Sequence, residues 1–477
     1  MHLSLRLHAD LTREIDEGPS GPEIGAFFDV DRTLLAVFSA VEFVRDGLWN
    51  GRMGPADLLQ TLATAARFEL GQLGFSGFVT GTSQVLRGVL ESEFEEIGAR
   101  IFAERLAATV YPEARALVQA HLRKGHTVAL VSSATRYQIE PLAQDFGIRH
   151  VLCTRLEVRD GRFTGNVIRP TCYGEGKATA ARGLAETEGI DLGKSYFYTD
   201  SDEDLALLEI VGFPRPTNPT SRLAAIAAKR GWPVRRFTSR GTPGALEVAR
   251  TSLAVASLAP SLLLGLPAAI LDGSWRRAVN LAISTWGEIG TALAGVDVQV
   301  TGEQHLWSHR PAVFIFNHQS GIDMLLLCRL LRRDIVGVAK QEVRRNPIFG
   351  PVFSLAGTVF IDRSNREKAV EALKPAVDAL RQGLSIVIAP EGTRSATTRL
   401  GRFKKGAFHM AMSAGVPIVP IVFRNALDAL PKHAIFVRPA VIEAVVHPPI
   451  PTTDWTAATL DREIEAIHRL YSATLES

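Results

Sequence analysis

Pro311-Ala-Val-Phe-Ile-Phe-Asn-His-Gln-Ser-Gly-Ile-Asp323 reads as a buried apolar strand over Ala312 to Phe316, a polar turn carrying a histidine, and the start of an apolar helix, Met324 to Leu331. His318 and Asp323 are five positions apart, so on one continuous helix they would point roughly 140° from each other. They meet only if His318 sits on the turn and Asp323 in the first helical turn. The surrounding sequence repeats the same grammar. Gly295 to Gly302 alternates like a strand, and Ile335 to Ala339 is a short strand ending at Lys340. Gly357 to Arg363 is a strand with an arginine at its exit, and Arg366 to Arg381 reads as a helix. Ser385 to Ala389 is a buried strand followed by Pro390-Glu-Gly-Thr-Arg-Ser395. Phe403-Lys-Lys-Gly406 opens a further helix, and Val416 to Val422 is again a strand. Strands alternating with helices predict an α/β sheet covered on its faces, with its chemistry gathered at the strand ends.

A chain of 477 residues is too long for one core and predicts two or three domains. With 46% hydrophobic and 22% charged residues it is composed like a globular protein, not a disordered one. A formal net charge of +3 gives nucleic-acid binding no support. Cys153, Cys172 and Cys328 have neither metal-ligand spacing nor the density of a disulfide framework, which places them as thiols in a reducing compartment. Met1 to Glu23 is mixed in charge, lacks the apolar core of a signal peptide, and is expected to be a flexible leader.

The first half opens on Ile24 to Leu35, an apolar strand ending in Asp29-x-Asp31-x-Thr33. Two carboxylates two residues apart at a strand end suit a magnesium site where one aspartate attacks phosphorus and the other moves a proton. Residues 36–109 are helical in pattern and follow the strand directly, as a cap over a site would. A helix from Glu113 to Lys124 leads to strand His126 to Val131, which delivers Ser132-Ser133-Ala134-Thr135. Val151 to Cys172 predicts a hairpin turning at Asp160-Gly161. Gly174-Glu-Gly-Lys177 starts a helix whose lysine can neutralise phosphoryl charge. Strand Ser195 to Thr199 ends in Asp200-Ser-Asp-Glu-Asp204, a carboxylate cluster suited to Mg²⁺.

Between the halves, residues 236–250 form a basic linker. Thr251 to Leu271 then carries no charged residue. At about 1.5 Å per residue such a run just crosses a hydrocarbon core of about 30 Å, but Pro260 and Pro267 argue against one straight spanning helix. With Trp275-Arg276-Arg277 and a second, weakly apolar helix after it, residues 251–294 predict a monotopic helical hairpin in one leaflet.

In this order, aspartate pair, helical insert, strand-end serine, lysine and aspartate cluster make the first half resemble the haloacid dehalogenase-like phosphatases of subclass IB. That resemblance implies a Rossmann-like domain over residues 24–235 with a helical cap. Asp29 would be the nucleophile and Asp31 the general acid/base. Ser132 and Lys177 would bind the phosphoryl group, and Mg²⁺ would be held by Asp29, Asp31, Asp200 and Asp204. Ser133-Ala134-Thr135 replaces the glycines that follow the serine in phosphoserine phosphatases, which leaves the substrate open between phosphoserine and a phosphorylated lipid precursor. The second half, residues 295–477, resembles the glycerolipid acyltransferases, specifically 1-acyl-glycerol-3-phosphate acyltransferases. Four blocks carry the likeness: Asn317-His318-x4-Asp323, Gly357-x-x-Phe360-Ile-Asp-Arg363, Pro390-Glu391-Gly392-Thr393-Arg394 and Val416-Pro417-Ile-Val-Pro420. They imply His318 as general base and Asp323 as its orienting partner. Arg363, Arg394, Lys340 and Lys404 would bind the acceptor's phosphate, with Glu391, Gly392 and Thr393 shaping its pocket. The expected reaction transfers an acyl chain from acyl-CoA or acyl-carrier protein to lysophosphatidate at the cytoplasmic face of a membrane. The alternatives are another lysolipid or lipid-linked acceptor, and a first domain that serves as a non-catalytic docking or regulatory module.

Overall fold

The computed structural model describes residues 11–52, 54–69, 72, 75–347, 349–361 and 373–476. The chain divides into two compact units, His2–Thr242 and Pro243–Ser477.

In the first unit six strands lie in the order β4-β3-β2-β1-β5-β6. They are β1 (Gly25–Phe28), β2 (Thr127–Thr135), β3 (His150–Arg159), β4 (Arg162–Ile168), β5 (Tyr196–Thr199) and β6 (Phe213–Pro216). All neighbours run parallel except β3 and β4. Successive side chains of a strand point to opposite faces, so Phe28, Leu130 and Tyr198 enter one buried cluster and Phe27, Ala129, Val131 and Phe197 the other. Both faces are covered, as a parallel sheet requires. The β3–β4 hairpin turns at Asp160 (φ 49°) and Gly161 (φ 70°), two consecutive left-handed residues that match the twist of the flanking strands.

Four helices, Ser39–Trp49, Pro55–Glu69, Phe75–Ser83 and Glu91–Ile101, follow β1 as the expected cap. Val79 of the cap packs with Tyr137, Leu156 and Phe163 in a separate small core. Two expectations are corrected. Residues 11–17 form a helix with Ile15 fully buried and Glu14 paired to Arg235 at 3.1 Å; from residue 11 on, the stretch expected as a loose leader is therefore part of the domain. β2 runs four residues past Val131, and its pairing with β3 shifts register between Ser132 and Thr135, so the serine sits at an irregularity within the strand.

In the second unit seven strands lie in the order β10-β9-β11-β8-β12-β13-β7. They are β7 (Val296–Thr301), β8 (Val313–Phe316), β9 (Ile335–Lys340), β10 (Val359–Ile361), β11 (Ser385–Ile388), β12 (Ile418–Phe423) and β13 (Ala440–Val446). β13 is antiparallel to β12, and the other pairs are parallel. Phe314, Phe316, Val419 and Ile421 face one buried cluster, and Val313, Ile315, Ile386 and Ile418 face the other. The C-terminal helix Leu460–Glu476 closes the second face, and Tyr471 donates its hydroxyl to Ile315 O at 2.7 Å.

Helices Ala245–Ala256, Leu258–Asp272 and Trp275–Ala294 precede the sheet. The first begins inside the expected linker, because Ala245, Leu246, Glu247, Ala249 and Arg250 are strong helix formers behind Gly244. It ends at Ala256, the residue whose carbonyl the ring of Pro260 would strike in a continuous helix. The second and third turn on each other through Gly273 (φ 61°). Gly287 permits close packing on helix Asp323–Leu331, since a Cβ there would lie 2.4 Å from Arg329 N. Among the described residues one helical run, Ala245–Leu271, is long and apolar enough to cross a membrane.

Candidate active sites

At the end of β8 the backbone is tied on both sides before the histidine appears. Asn317 Nδ2 donates to Phe423 O at 2.8 Å and Phe423 N donates to Asn317 Oδ1 at 2.8 Å, pinning β8 to β12. His318 N donates to Glu391 Oε1 at 2.8 Å, and Ser395 N donates to His318 O at 2.7 Å. The turn that follows delivers Asp323 as the first residue of its helix, and Asp323 Oδ2 lies 2.8 Å from His318 Nδ1. The same oxygen accepts from Gln319 N at 3.1 Å and Ser320 N at 3.0 Å. Asp323 is fully buried while the His318 side chain is 26% exposed. Burial raises the Asp323 carboxyl above its ordinary value, opposed by His318 and the two amides. With Asp323 Oδ2 as an acceptor, the contact is satisfied by the tautomer of His318 protonated on Nδ1, whose Nε2 carries the lone pair.

The chain after β11 wraps this turn. Gly392 takes φ 75°, a left-handed conformation that glycine adopts at no steric cost, and is buried with Glu391. Arg394 Nη1 passes near the His318 turn, 3.4 Å from where a Cβ on Gly321 would be. Thr393, Arg394, Lys340 and Lys404 are exposed along the same C-terminal edge of the sheet. Arg363 lies outside the described residues. The two oxygens of Glu391 accept from His318 N and Gly401 N, each at 2.8 Å, and the residue is 5% exposed. A carboxylate so engaged ties two loops together beside the His318 turn. Beside the turn, helices Leu258–Asp272 and Trp275–Ala294 enclose a narrow apolar cavity of about 90 Å³ with Met324, Leu327, Cys328 and Val387.

In the first unit Asp29 follows β1 directly, and its amide donates to Tyr198 O at 2.9 Å. Lys177, buried on helix Glu175–Glu188, bridges Asp29 Oδ1 at 2.7 Å and Asp204 Oδ2 at 2.8 Å. Thr199 donates its hydroxyl to the same Asp204 oxygen at 2.5 Å. Burial works against the lysine's charge, yet Asp204 and Asp29 hold its pKa above the ordinary value. Burial also raises Asp29, with Lys177 opposing. Burial pushes Asp31 up to about 6 and Asp200 up to about 6 against the nearby Arg32. Ser132 is buried, and its Oγ accepts from Ala134 N at 3.2 Å.

A family model for haloacid dehalogenase-like hydrolases matches residues 26–209, and one for acyltransferases matches residues 297–424. A phosphoserine phosphatase of Mycobacterium tuberculosis is 35% identical over 245 residues, 49% of this chain and 79% of the relative. A 1-acyl-sn-glycerol-3-phosphate acyltransferase of Limnanthes alba is 38% identical over 200 residues, 42% of this chain and 70% of the relative. The chain belongs to both families. The solved 1-acyl-sn-glycerophosphate acyltransferase of Thermotoga maritima is 22% identical over 48% of this chain and 93% of its own, with a TM-score of 0.43.

In the hydrolase domain the four expected magnesium ligands divide. The Asp31 carboxylate accepts from Ser39 N at 2.9 Å and Ser39 Oγ at 3.1 Å, and Asp204 serves Lys177 and Thr199. Among the described residues no three His, Cys, Asp or Glu side chains form a ready ligand set. Asp29 and Asp200 are held by cations instead, Lys177 at 2.7 Å and Arg32 at 3.3 Å, and a hard cation suits the all-oxygen donors of this cluster. The sequence reading missed several members of the site. Arg32, at φ 61°, places Nε 3.3 Å from Asp200 Oδ2, and Asn218 Nδ2 donates to Arg32 O at 3.2 Å. Arg32 was legible as the residue between Asp31 and Thr33. The Ser39 bond joins cap to core across the seven residues 32–38 and left no motif. In the acyltransferase domain the Asn317–Phe423 and Glu391–Gly401 ties were missed, since each depends on a partner remote from its own block.

Proposed function

We propose that the acyltransferase domain moves an acyl chain from a thioester, acyl-CoA or acyl-carrier protein, to the sn-2 hydroxyl of 1-acyl-glycerol-3-phosphate. The observation that carries the reading is His318 Nδ1 held 2.8 Å from the buried Asp323 Oδ2, with the His318 side chain 26% exposed. His318 Nε2 takes the hydroxyl proton as the oxygen attacks the thioester carbonyl. The carbon–sulfur bond breaks and the thiolate leaves, needing little protonation because a free thiol ionises near about 8.5. Asp323 holds the tautomer and stabilises the imidazolium until its proton passes to the thiolate or to water. Arg394, Lys340 and Lys404, with Arg363, bind the acceptor's phosphate; Arg394 offers the fork geometry that phosphate prefers. The apolar cavity receives the acyl chain. Leu263, Leu264, Leu266, Ile270 and Leu271, all exposed on helix Leu258–Asp272, lie in the lipid interface at the cytoplasmic face.

The hydrolase domain cleaves a phosphomonoester. Asp29 attacks phosphorus to form an aspartyl-phosphate, Asp31 protonates the leaving oxygen, and Asp31 then accepts a proton from the water that hydrolyses the intermediate. Lys177 and Ser132 hold the phosphoryl oxygens. Magnesium bound at Asp29 and Asp200 supplies neutralisation of phosphoryl charge.

Incubating the full chain with lysophosphatidate, an acyl donor and Mg²⁺, then weighing the lipids, tests both domains. Phosphatidate formed by the wild type and not by His318→Ala is expected. Near-wild-type transfer by His318→Ala would sink the base assignment. Diacylglycerol or monoacylglycerol lost on Asp29→Asn would place both sites on one lipid route. Hydrolysis of phosphoserine alone would place the hydrolase on a separate substrate.

A further inference from the structure

The acyltransferase domain carries more positive charge at its C-terminal sheet edge than its acceptor uses. Two segments meet there, because β9 pairs in parallel with β11 and both end on the same side. The first, residues 340–346, runs from the end of β9 into the turn Gln341–Arg345. The second, residues 391–405, is tied down by Ser395 N to His318 O, Gly401 N to Glu391 and Lys404 N to Pro390 O. Together they hold Lys340, Arg344, Arg345, Arg394, Arg399, Arg402, Lys404 and Lys405, against Glu342 and the buried Glu391. Lys405 pairs with Asp461 at 2.7 Å. Arg344, Arg345, Arg399 and Arg402 are exposed and have no carboxylate partner among the described residues. A phosphomonoester carries about −1.5 to −2 near neutral pH, which Lys340, Arg394 and Lys404, with Arg363, already answer. The other four cations are left over.

We infer that Arg344, Arg345, Arg399 and Arg402 form a docking face for an acidic carrier protein that presents the acyl chain as its thioester. This rests on the acyltransferase reading above and selects between its two donors. Two features favour a protein over the alternatives. The four guanidiniums stand on an exposed rim, and none lines the apolar cavity, whereas a nucleotide-type donor needs a concave site that buries it. Among the described residues of these two segments no large apolar side chain is exposed; Leu355, 52% exposed, stands on the helix that follows the first segment. A lipid-inserting face interleaves apolar and basic side chains. An all-cationic rim steers and orients an acidic partner.

The test uses the full chain with lysophosphatidate in neutral detergent micelles and compares one acyl chain on the carrier protein and on coenzyme A. Arg399→Glu/Arg402→Glu and Arg344→Glu/Arg345→Glu should each raise KM for the carrier-protein donor by roughly 10-fold or more. They should leave kcat/KM for acyl-CoA within about twofold, which also shows that the variants fold. Raising salt on the unaltered chain should reproduce the selective loss, since exposed charges are screened. The Arg399→Lys/Arg402→Lys chain should behave as wild type. Equal loss with both donors, loss with acyl-CoA alone, no loss, or loss seen only on anionic vesicles would each overturn the inference. If the unaltered chain transfers from neither donor, the acyltransferase reading fails. Titration with acyl-free carrier protein then decides the docking face independently: binding abolished by the double substitutions supports it, and absent binding refutes it.

Discussion

Replacing Glu391 with glutamine separates two roles for the Glu-Gly-Thr-Arg block. In the structure both carboxylate oxygens are spent on main-chain amides, His318 N and Gly401 N, each at 2.8 Å in a site 5% exposed. An isosteric Glu391→Gln keeps one acceptor and turns an amide NH₂ toward the other N–H, so one bond is lost and a donor faces a donor. A buried hydrogen bond to a charged group is worth about 1.5–3 kcal/mol. At about 1.4 kcal/mol per decade, the ordered turn that carries His318 should become roughly 10- to 150-fold less favoured, toward the lower end if the amide turns to Gly401. The expected signature is a fall in kcat of that order with KM for lysophosphatidate changed little, because the acceptor's phosphate is bound by other side chains. Steady-state acyl transfer with the acceptor varied at saturating donor measures it. A large rise in KM with kcat unchanged would mean that Glu391 touches the acceptor, and the tie described here would not be its function.

Lys177→Met keeps the length of the chain and removes its charge, leaving Asp29 and Asp204 facing each other in the hydrolase core. Breaking such a buried pair costs about 3–5 kcal/mol, so phosphomonoesterase activity should vanish and the hydrolase domain should unfold at lower temperature, while acyl transfer stays within about twofold; a joint loss would show the domains depend on each other. The buried pair His121 and His126 gives that domain an acid limit. Their Nδ1 atoms lie 2.8 Å apart, His121 Nε2 is 3.0 Å from Tyr198 OH, and His126 Nε2 is 3.0 Å from Pro19 O. Burial lowers both, His121 well below its ordinary value, so the neutral forms stabilise the fold above the unfolded value of about 6.5 and that contribution is lost as pH falls. Thermal unfolding followed from pH 7.5 to 5 should show a falling midpoint, flattened in His121→Gln; an equal slope in both would exclude the pair as its source. Leu264→Glu with Leu271→Glu, at positions 54% and 83% exposed, removes two side chains worth about 1.5–3 kcal/mol each if seated in lipid. Flotation with vesicles should drop by about 100-fold or more, and unchanged flotation would place the membrane contact elsewhere.

What could be read from the sequence and what could not follow a physical line. The candidate site residues were legible because each stands where a period breaks: Asp29 after Phe28, His318 after Phe316-Asn317, Asp200 after Thr199, a polar side chain at the end of an apolar strand. The sheets were legible for the same reason, since both clusters of each sheet draw on alternate residues of one run. β13 and the helix Leu460–Glu476 carry their patterns in Val441-Ile-Glu-Ala-Val-Val446 and in Ile464, Ile467 and Tyr471, but no chemical motif marks them. The deeper misses concern pairs. Nothing local to Glu14 announces Arg235, and nothing local to Glu391 announces Gly401 or the amide of His318. A motif fixes which residue type is needed, whereas the partner is chosen by the fold.

That distinction bears on how the two arginine-bearing strand ends differ in meaning from Glu391. All belong to blocks that read alike, a short polar run after a buried strand. Arg394 is exposed, and its guanidinium lies near the turn that carries His318. Glu391 is 5% exposed and accepts two amides at 2.8 Å, so it has exchanged solvent for the chain itself. The same argument applies to Asp204 beside Asp200 in the hydrolase domain, where one carboxylate anchors Lys177 and its neighbour faces Arg32. In both domains a block of adjacent polar residues therefore holds members with different partners. Asp200 and Asp204 are both buried, at 6% and 2% exposed, so in the hydrolase domain the identity of the partner, Arg32 or Lys177, tells them apart and burial does not.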